Sequence, residues 1–339
     1  MELIRKRAFA RAGLVGNPSD GYQGRTLSIS VRDFWADVVL YQWDHVELVL
    51  SQEDRSRFRT VHDLVRDVEL HGYYGGVRLV KATIKKFVEY CDARGLPIDD
   101  RTFSVRYESN IPRQVGLAGS SAIIVATLRC LMAFYDVDIP LRVQPSLALS
   151  VEVDELGIAA GLQDRVIQVY EDLVAMDFGP EKTDSVDGFV CGTYRPLDSA
   201  LLPPLYVAYR TDLGEPTEVV HNDLRDRYQR GDTDVRQAMQ RVAGLVVEAT
   251  EALIRHDSGR LGQLIDENFD LRRQMCRIPS GQMEMIEQAR QAGATAKFAG
   301  SGGAIIGTYP DRRTFEQLSQ AMAAIGCQLF KPRIAPEFP

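Results

Sequence analysis

One segment of the chain reads Pro112-Arg113-Gln114-Val115-Gly116-Leu117-Ala118-Gly119-Ser120-Ser121-Ala122. A strand is predicted before it, where Phe103, Val105 and Tyr107 alternate with polar residues, and a long apolar helix is predicted after it, over about 120–135. Small residues leave the backbone N–H groups of such a loop accessible, and the helix start adds unpaired donors and a positive dipole end. The segment therefore predicts a cradle for phosphate groups, with a plain loop and a serine helix cap as the alternative. The chain has no Gly-x-x-x-x-Gly-Lys-Ser/Thr, which excludes the common P-loop.

Two further segments contain closely spaced glycines. The first, near the C-terminus, is Lys297-Phe298-Ala299-Gly300-Ser301-Gly302-Gly303-Ala304, which lies between two short predicted strands. The second, near the N-terminus, is Arg11-Ala12-Gly13-Leu14-Val15-Gly16-Asn17-Pro18-Ser19-Asp20, which reads as a strand followed by a polar turn. Each of them alone is explained equally well by a structural turn.

Composition narrows the class of protein. The 339 residues are 45% hydrophobic and carry a net charge of −7, without a basic block, so we expect no nucleic-acid partner. The absence of a long apolar stretch or a secretory signal predicts a cytoplasmic protein without a membrane partner. Five scattered cysteines and five scattered histidines predict neither disulfides nor a zinc site. The expected partner is a small molecule, and the chain is expected to be a monomer or a homodimer.

Strand and helix patterns occur in both halves without regular alternation, which favours an α+β fold. Glycine, proline and aspartate cluster at 191–204, where we place a domain boundary near residue 195. The predicted domains are 1–195 and 196–339.

Together, the three glycine-containing segments resemble the three signature motifs of the GHMP kinase superfamily, in the family's order. The resemblance extends over nearly the whole chain and is closest to the glucuronokinase branch. It implies an N-terminal domain like the second domain of ribosomal protein S5, a C-terminal ferredoxin-like α+β domain, and a site in the cleft between them. It also implies ATP and Mg²⁺. The residues that it assigns to the nucleotide are Pro112, Gly116, Leu117, Ala118, Gly119, Ser120, Ser121, Ala122 and Gly302.

The chemistry of a kinase requires a carboxylate beside the acceptor hydroxyl and oxygen ligands for Mg²⁺. Glu152 lies nine residues before Gly161, and Asp164 lies three residues after it. Galactokinase-like enzymes show this spacing, so the resemblance implies that Asp164 is the base and that Glu152 and Ser121 bind Mg²⁺. Glu155 lies one helical turn from Glu152 and is an alternative ligand.

The N-terminal segment supplies the other predicted site residues. Arg11 occupies the position of a family lysine or arginine that contacts the catalytic aspartate, and we predict a catalytic role for it. The residues predicted to bind the sugar are Asn17, Ser19, Asp20, Asp164 and Gly302. The turn reads Asn-Pro-Ser-Asp where galactokinases have Glu-His-Thr-Asp, which makes galactose a poorer candidate.

The expected reaction is phosphorylation of the anomeric hydroxyl of D-glucuronate by ATP. The alternatives are another sugar, a sugar acid such as galacturonate, or a heptose phosphate as substrate, and a catalytically silent protein that senses sugar and ATP. A uronic acid carries a carboxylate, for which arginine is the natural partner. Four cations lie in or beside the motifs, and the sequence does not select among them: Arg25, Arg113, Arg165 and Lys297.

Overall fold

The computed structural model describes residues 3–49, 76–213 and 224–335. The alternation of Val46, Leu48 and Leu50 predicts a strand, and Gly75-Gly76 precedes a predicted helix; of these residues, Leu50 and Gly75 lie outside the described ranges.

Twelve strands form the sheets of the described residues. They are β1 (Leu3–Val15), β2 (Arg25–Gln42), β3 (Glu47–Val49), β4 (Phe103–Ser109), β5 (Leu173–Asp177), β6 (Asp184–Val186), β7 (Phe189–Cys191), β8 (Thr193–Leu197), β9 (Leu205–Tyr209), β10 (Lys297–Phe298), β11 (Ala304–Thr308) and β12 (Gln328–Phe330). The long strand β2 is the centre of the larger sheet because it pairs antiparallel with β1, β4 and β5 along its length. Strands β3 and β8 extend this sheet at its two edges.

Eight α-helices have both ends in the described ranges. They are α1 (Gly76–Arg94), α2 (Gly119–Tyr135), α3 (Gln144–Ser150), α4 (Gln163–Tyr170), α5 (Thr233–Ile254), α6 (Ser258–Met275), α7 (Ser280–Gln291) and α8 (Arg312–Ala324). The sequence predicts a short helix over 145–157, but α3 leaves the α-helical form at Ser150 and continues as a π-helical turn, Val151–Glu155. A π turn holds one extra residue, a distortion that the apolar pattern of the sequence does not indicate.

Helix α2 anchors the glycine loop that precedes it. The side chains of Ile124, Leu128 and Leu131 recur at helical spacing and are buried in the core, where α2 packs against β1 and β2. Burial of each such side chain contributes about 1.5–3 kcal/mol, so the start of α2 is held firmly against the sheet.

The second sheet has the order β10-β11-β9-β12, and all of its pairs are antiparallel. Helices α6, α7 and α8 contribute Phe269, Ile286 and Leu318 to the core beneath it. Strand β8 belongs to the first sheet and β9 to the second. The predicted boundary at residue 195 falls inside β8 and stays a prediction, whereas the mixed helices and sheets confirm the α+β class. No helix within the three described ranges combines the length and apolarity needed to cross a membrane.

Candidate active site

The three glycine-containing segments meet in space. The N-terminal segment, which begins on β1, lies between the other two. The backbone N–H of Arg11 donates to the carbonyl oxygen of Leu117 at 3.2 Å, and that of Gly13 donates to Ala299 at 2.7 Å. Strand β1 therefore connects the loop before α2 with the loop between β10 and β11.

The glycines in these loops are required by close backbone packing. Gly116 has a φ of +72°, and a Cβ on it would lie 2.9 Å from the backbone oxygen of Gly302 and the nitrogen of Ser301. A Cβ on Gly300 would overlap the carbonyl oxygen of Gly116 and lie 2.7 Å from Nη1 of Arg11. The segment 297–304 is therefore more than a hairpin turn, because its backbone packs directly against the first glycine loop.

This packing gives a testable prediction for Gly300→Ala. The added methyl group has no space, so we expect a loss of about 1–3 kcal/mol in the free energy of unfolding, measured by urea unfolding. The matched control is Gly244→Ala within α5, where a Cβ meets nothing within 4 Å. We expect that variant to gain about 0.5–1 kcal/mol, and equal behaviour of the two variants would contradict the packing argument.

The start of α2 has the form of an anion site. Ala118 occupies the N-cap position with a φ of +63° and has no side-chain oxygen with which to cap the helix. The hydroxyl of Ser121 donates to the carbonyl oxygen of Ala118 at 3.2 Å. The serine-capped loop considered from the sequence is therefore not what forms, and a helix start of this kind is a general place for anion binding in proteins.

Asp164 and Arg11 form an ion pair at this junction. Nε of Arg11 donates to Oδ1 of Asp164 at 2.6 Å. The Nη1 group of the same arginine donates to the carbonyl oxygens of Gly116, at 2.6 Å, and Ala299, at 3.1 Å. Arg11 is buried, so this single side chain ties the carboxylate to both glycine loops.

Helix α4, which carries Asp164, is fixed at two points. Oδ2 of Asp20 accepts hydrogen bonds from the backbone N–H groups of Leu162, at 2.9 Å, and Gln163, at 3.2 Å. Farther along α4, Nε2 of Gln168 donates to the carbonyl oxygen of Ala118 at 2.8 Å. These hydrogen bonds thus fix the position of Asp164 relative to the polar turn and to the start of α2.

The other residues predicted to bind the sugar are buried and already have partners. Asn17 accepts a hydrogen bond from Nζ of Lys297 through its Oδ1 atom. The hydroxyl of Ser19 donates to the carbonyl oxygen of Arg25 at 2.9 Å, within its own turn. Gly302 faces the amide of Gln282, which a Cβ would approach to 2.5 Å. The roles of Asn17, Ser19, Asp20 and Gly302 toward a substrate stay predictions.

Three residues hold the site together that the sequence patterns did not single out. Asn268 on α6 binds the polar turn twice: its Oδ1 accepts from Gly16 N at 2.7 Å, and its Nδ2 donates to Asn17 O at 3.0 Å. Arg272, one turn farther along α6, donates to the carbonyl oxygens of Gly300, at 2.7 Å, and Ser301, at 2.6 Å. The third is Gln163, whose side-chain oxygen accepts from Ser28 at 2.8 Å. All five hydrogen bonds join residues far apart in the sequence, so no local signal indicates them.

Lys297 lies inside this framework. Its ammonium group donates to the carbonyl oxygens of Gly13, at 2.6 Å, and Phe298, at 2.8 Å, besides Asn17. Burial lowers the pKa of Lys297 well below its ordinary value, and the nearby Arg272 and Arg11 lower this pKa further. All three N–H donors of Lys297 are hydrogen-bonded. This residue therefore connects the N-terminal and the C-terminal glycine-containing segments.

The acidic residues before α4 have different environments. Glu152 is buried and forms an ion pair with the buried Arg165, the neighbour of Asp164. Glu155 is less buried and pairs with Lys85, whose side chain is half-exposed. The hydrogen bond between them raises the pKa of Lys85. Of the two glutamates, Glu152 is therefore the one linked to α4.

Comparisons with known proteins show the family to which this chain belongs. The family described as GHMP kinases N terminal domain matches residues 78–172, and that described as GHMP kinases C terminal matches residues 249–326. Glucuronokinase 1 of Arabidopsis thaliana is 41% identical, with 98% of this chain and 92% of the relative covered. Probable glucuronokinase 2 of the same plant is 44% identical, with 91% and 85% covered.

A solved structure shares the fold. Lactococcus lactis galactokinase complexed with galactose superposes with a TM-score of 0.75 over 98% of this chain and 94% of that one, at 16% identity. The two domain matches, the two plant relatives and this superposition agree with one another. The chain belongs to the GHMP kinase family, and within it to the group that contains the two plant glucuronokinases.

Proposed function

We propose that this GHMP kinase transfers the γ-phosphoryl group of ATP to the anomeric hydroxyl of D-glucuronate, giving glucuronate 1-phosphate and ADP. The observation that carries the proposal is the Arg11–Asp164 pair, which lies where the nucleotide loop and the N-terminal turn meet. Identity of 41–44% to the plant glucuronokinases over most of the chain supports the choice of sugar.

Asp164 is the proposed general base. Its Oδ1 atom is bonded to Arg11, which leaves Oδ2 as the atom that accepts the proton of the sugar hydroxyl. As that proton leaves, the sugar oxygen forms a bond to the γ-phosphorus, and the bond from this phosphorus to the oxygen bridging to the β-phosphate breaks. An anomeric hydroxyl is more acidic than an ordinary alcohol, so a carboxylate is a sufficient base.

Arg11 has two proposed tasks. Its guanidinium group holds the carboxylate of Asp164 at the end of the glycine loop. The same positive charge offsets negative charge that develops on the transferred group.

We assign the phosphates to the loop predicted from the sequence, from Pro112 to Ala122, and the sugar to the turn with Asn17, Ser19 and Asp20.

Mg²⁺ is proposed as the cofactor. Hard oxygen donors are its preferred ligands, and the hydroxyl of Ser121 and the carboxylate of Glu152 have that chemistry. Both lie on segments that contact α4, through Gln168 at Ala118 and through Arg165 at Glu152. When bound, the ion neutralises charge on the β- and γ-phosphates.

A panel of acceptors tests the substrate. We expect ADP release, measured with a coupled assay, to be fastest with D-glucuronate among glucuronate, galacturonate, glucose, galactose and a heptose phosphate. NMR of the product should show coupling between phosphorus and C1 of the sugar. Phosphorylation of neutral hexoses without glucuronate would overturn the substrate, and nucleotide binding without turnover of any acceptor would indicate a silent sensor.

A further inference from the structure

The ion pair between Glu152 and Arg165 is buried to an unusual degree. The side chains of Arg165 and Glu152 are 2% and 4% exposed. Among the ion pairs within 3–49, 76–213 and 224–335, this is the one in which both partners are less than 5% exposed. The pair is therefore shielded from water and salt.

The guanidinium group of Arg165 has two further neighbours. It donates through Nη1 to the carbonyl oxygen of Gly161, and the same atom lies 3.8 Å from Oδ2 of Asp164. Arg165 thus lies between the carboxylate proposed to bind the metal and the carboxylate proposed to accept the proton. Because its guanidinium group contacts both of these residues, we assign Arg165 a positioning role.

A buried carboxylate without a cation beside it is strongly destabilising. Glu152 therefore needs positive charge whether or not a metal ion is present. In the protein alone that charge comes from Arg165, whose guanidinium group covers the carboxylate. A divalent cation that uses Oε2 of Glu152 as a ligand has to displace this group.

We propose that Arg165 takes the place of the divalent cation at Glu152 while no nucleotide is bound, so that the cation enters together with the nucleotide. This inference rests on the proposed role of Glu152 as a metal ligand. The phosphates supply the additional ligands that make the exchange favourable. The displaced guanidinium group stays beside Asp164, to which it is already close. Glu155 is less suited to such an exchange between a side-chain cation and a metal ion. Its partner Lys85 is half-exposed, so the charge of Lys85 is already in contact with water.

Titration with Mn²⁺, followed by electron paramagnetic resonance, tests the proposal without any sugar. We expect the wild-type protein to bind Mn²⁺ only weakly alone and to bind one Mn²⁺ in the presence of ADP. Arg165→Gln removes the competing cation, so this variant should bind Mn²⁺ alone at least about 10-fold more tightly than wild type. The double variant R165Q/E152Q should lose this gain. Thermal unfolding gives a second readout: Mn²⁺ should raise the Tm of Arg165→Gln and leave that of nucleotide-free wild type unchanged.

The matched control is Arg25→Gln. Arg25 likewise pairs with a carboxylate, that of Asp177, at 2.6 Å. Its side chain is 40% exposed and does not lie between Glu152 and Asp164. We expect its Mn²⁺ binding to equal that of wild type. Tight Mn²⁺ binding by nucleotide-free wild type, or no gain in Arg165→Gln, would overturn the proposal.

A measurement in the wild-type background covers the case in which Arg165→Gln does not fold. Glu152→Gln should weaken Mn²⁺ binding to the ADP complex by about 10–100-fold and leave ADP affinity without metal unchanged. An unchanged Mn²⁺ affinity would show that Glu152 is not a ligand and would end the proposal. Because no acceptor is present, this failure is separate from any failure of the glucuronate assignment.

Discussion

Asp164→Asn is expected to lower kcat by about 10²–10⁴-fold, the usual contribution of a general base. The amide has nearly the shape of the carboxylate, and its oxygen still accepts the hydrogen bond from Nε of Arg11. It cannot accept the proton of the sugar hydroxyl. We therefore expect the affinity for ATP, measured by calorimetry, to stay within a few-fold of wild type while turnover falls.

Asp177→Asn is a closely matched control for this loss. Asp177 pairs with Nε of Arg25 at 2.6 Å and is 17% exposed, against 2.6 Å and 16% for Asp164 with Arg11. The two aspartates are therefore matched in distance and exposure, whereas their partners differ, since Arg11 is buried and Arg25 is 40% exposed. We expect Asp177→Asn to keep kcat within a few-fold of wild type. Turnover by Asp164→Asn at a similar level would exclude Asp164 as the base.

Local patterns in the sequence predict the elements around the site. The apolar spacing of Ile124, Leu128 and Leu131 predicts α2, and small residues before it predict a loop open to an anion. Both features depend on neighbours within a few turns of chain, which is the range over which propensity and periodicity act. The ion pair between Arg11 and Asp164 spans 153 residues, and the resemblance to a family, rather than any pattern, indicated it.

Local sequence patterns do not predict the contacts between segments that are distant in the chain. Asp20 binds the start of α4 across more than 140 residues, and Asn268 reaches Gly16 across 252. A carboxylate in a polar turn has the same local sequence whether it binds a sugar or caps a helix. The same holds for Gly300, whose need for glycine comes from the carbonyl of Gly116 and not from its own turn. Tertiary packing decides each of these cases.

Arg11→Met is expected to reduce both stability and turnover. The substitution keeps much of the apolar stem but leaves Asp164 without its ion-pair partner and the carbonyl oxygens of Gly116 and Ala299 without their donor. Removing one partner of a buried pair costs about 3–5 kcal/mol, and we expect a value near the lower end because Asp164 retains some contact with water. Urea unfolding measures this loss, and kcat should fall by at least about 10²-fold because the base is no longer held at the loop.

Two further variants separate the charge of Arg11 from its geometry. Arg11→Lys keeps the positive charge, but a single ammonium group lacks the planar fork that reaches Asp164 and both glycine loops together. It should therefore lie between wild type and Arg11→Met in both measurements. Arg25→Met breaks an exposed pair and should cost no more than about 1 kcal/mol, with kcat unchanged. If Arg11→Met cost no more than Arg25→Met, the three segments would be held together by the backbone contacts alone, and the junction would not depend on this arginine.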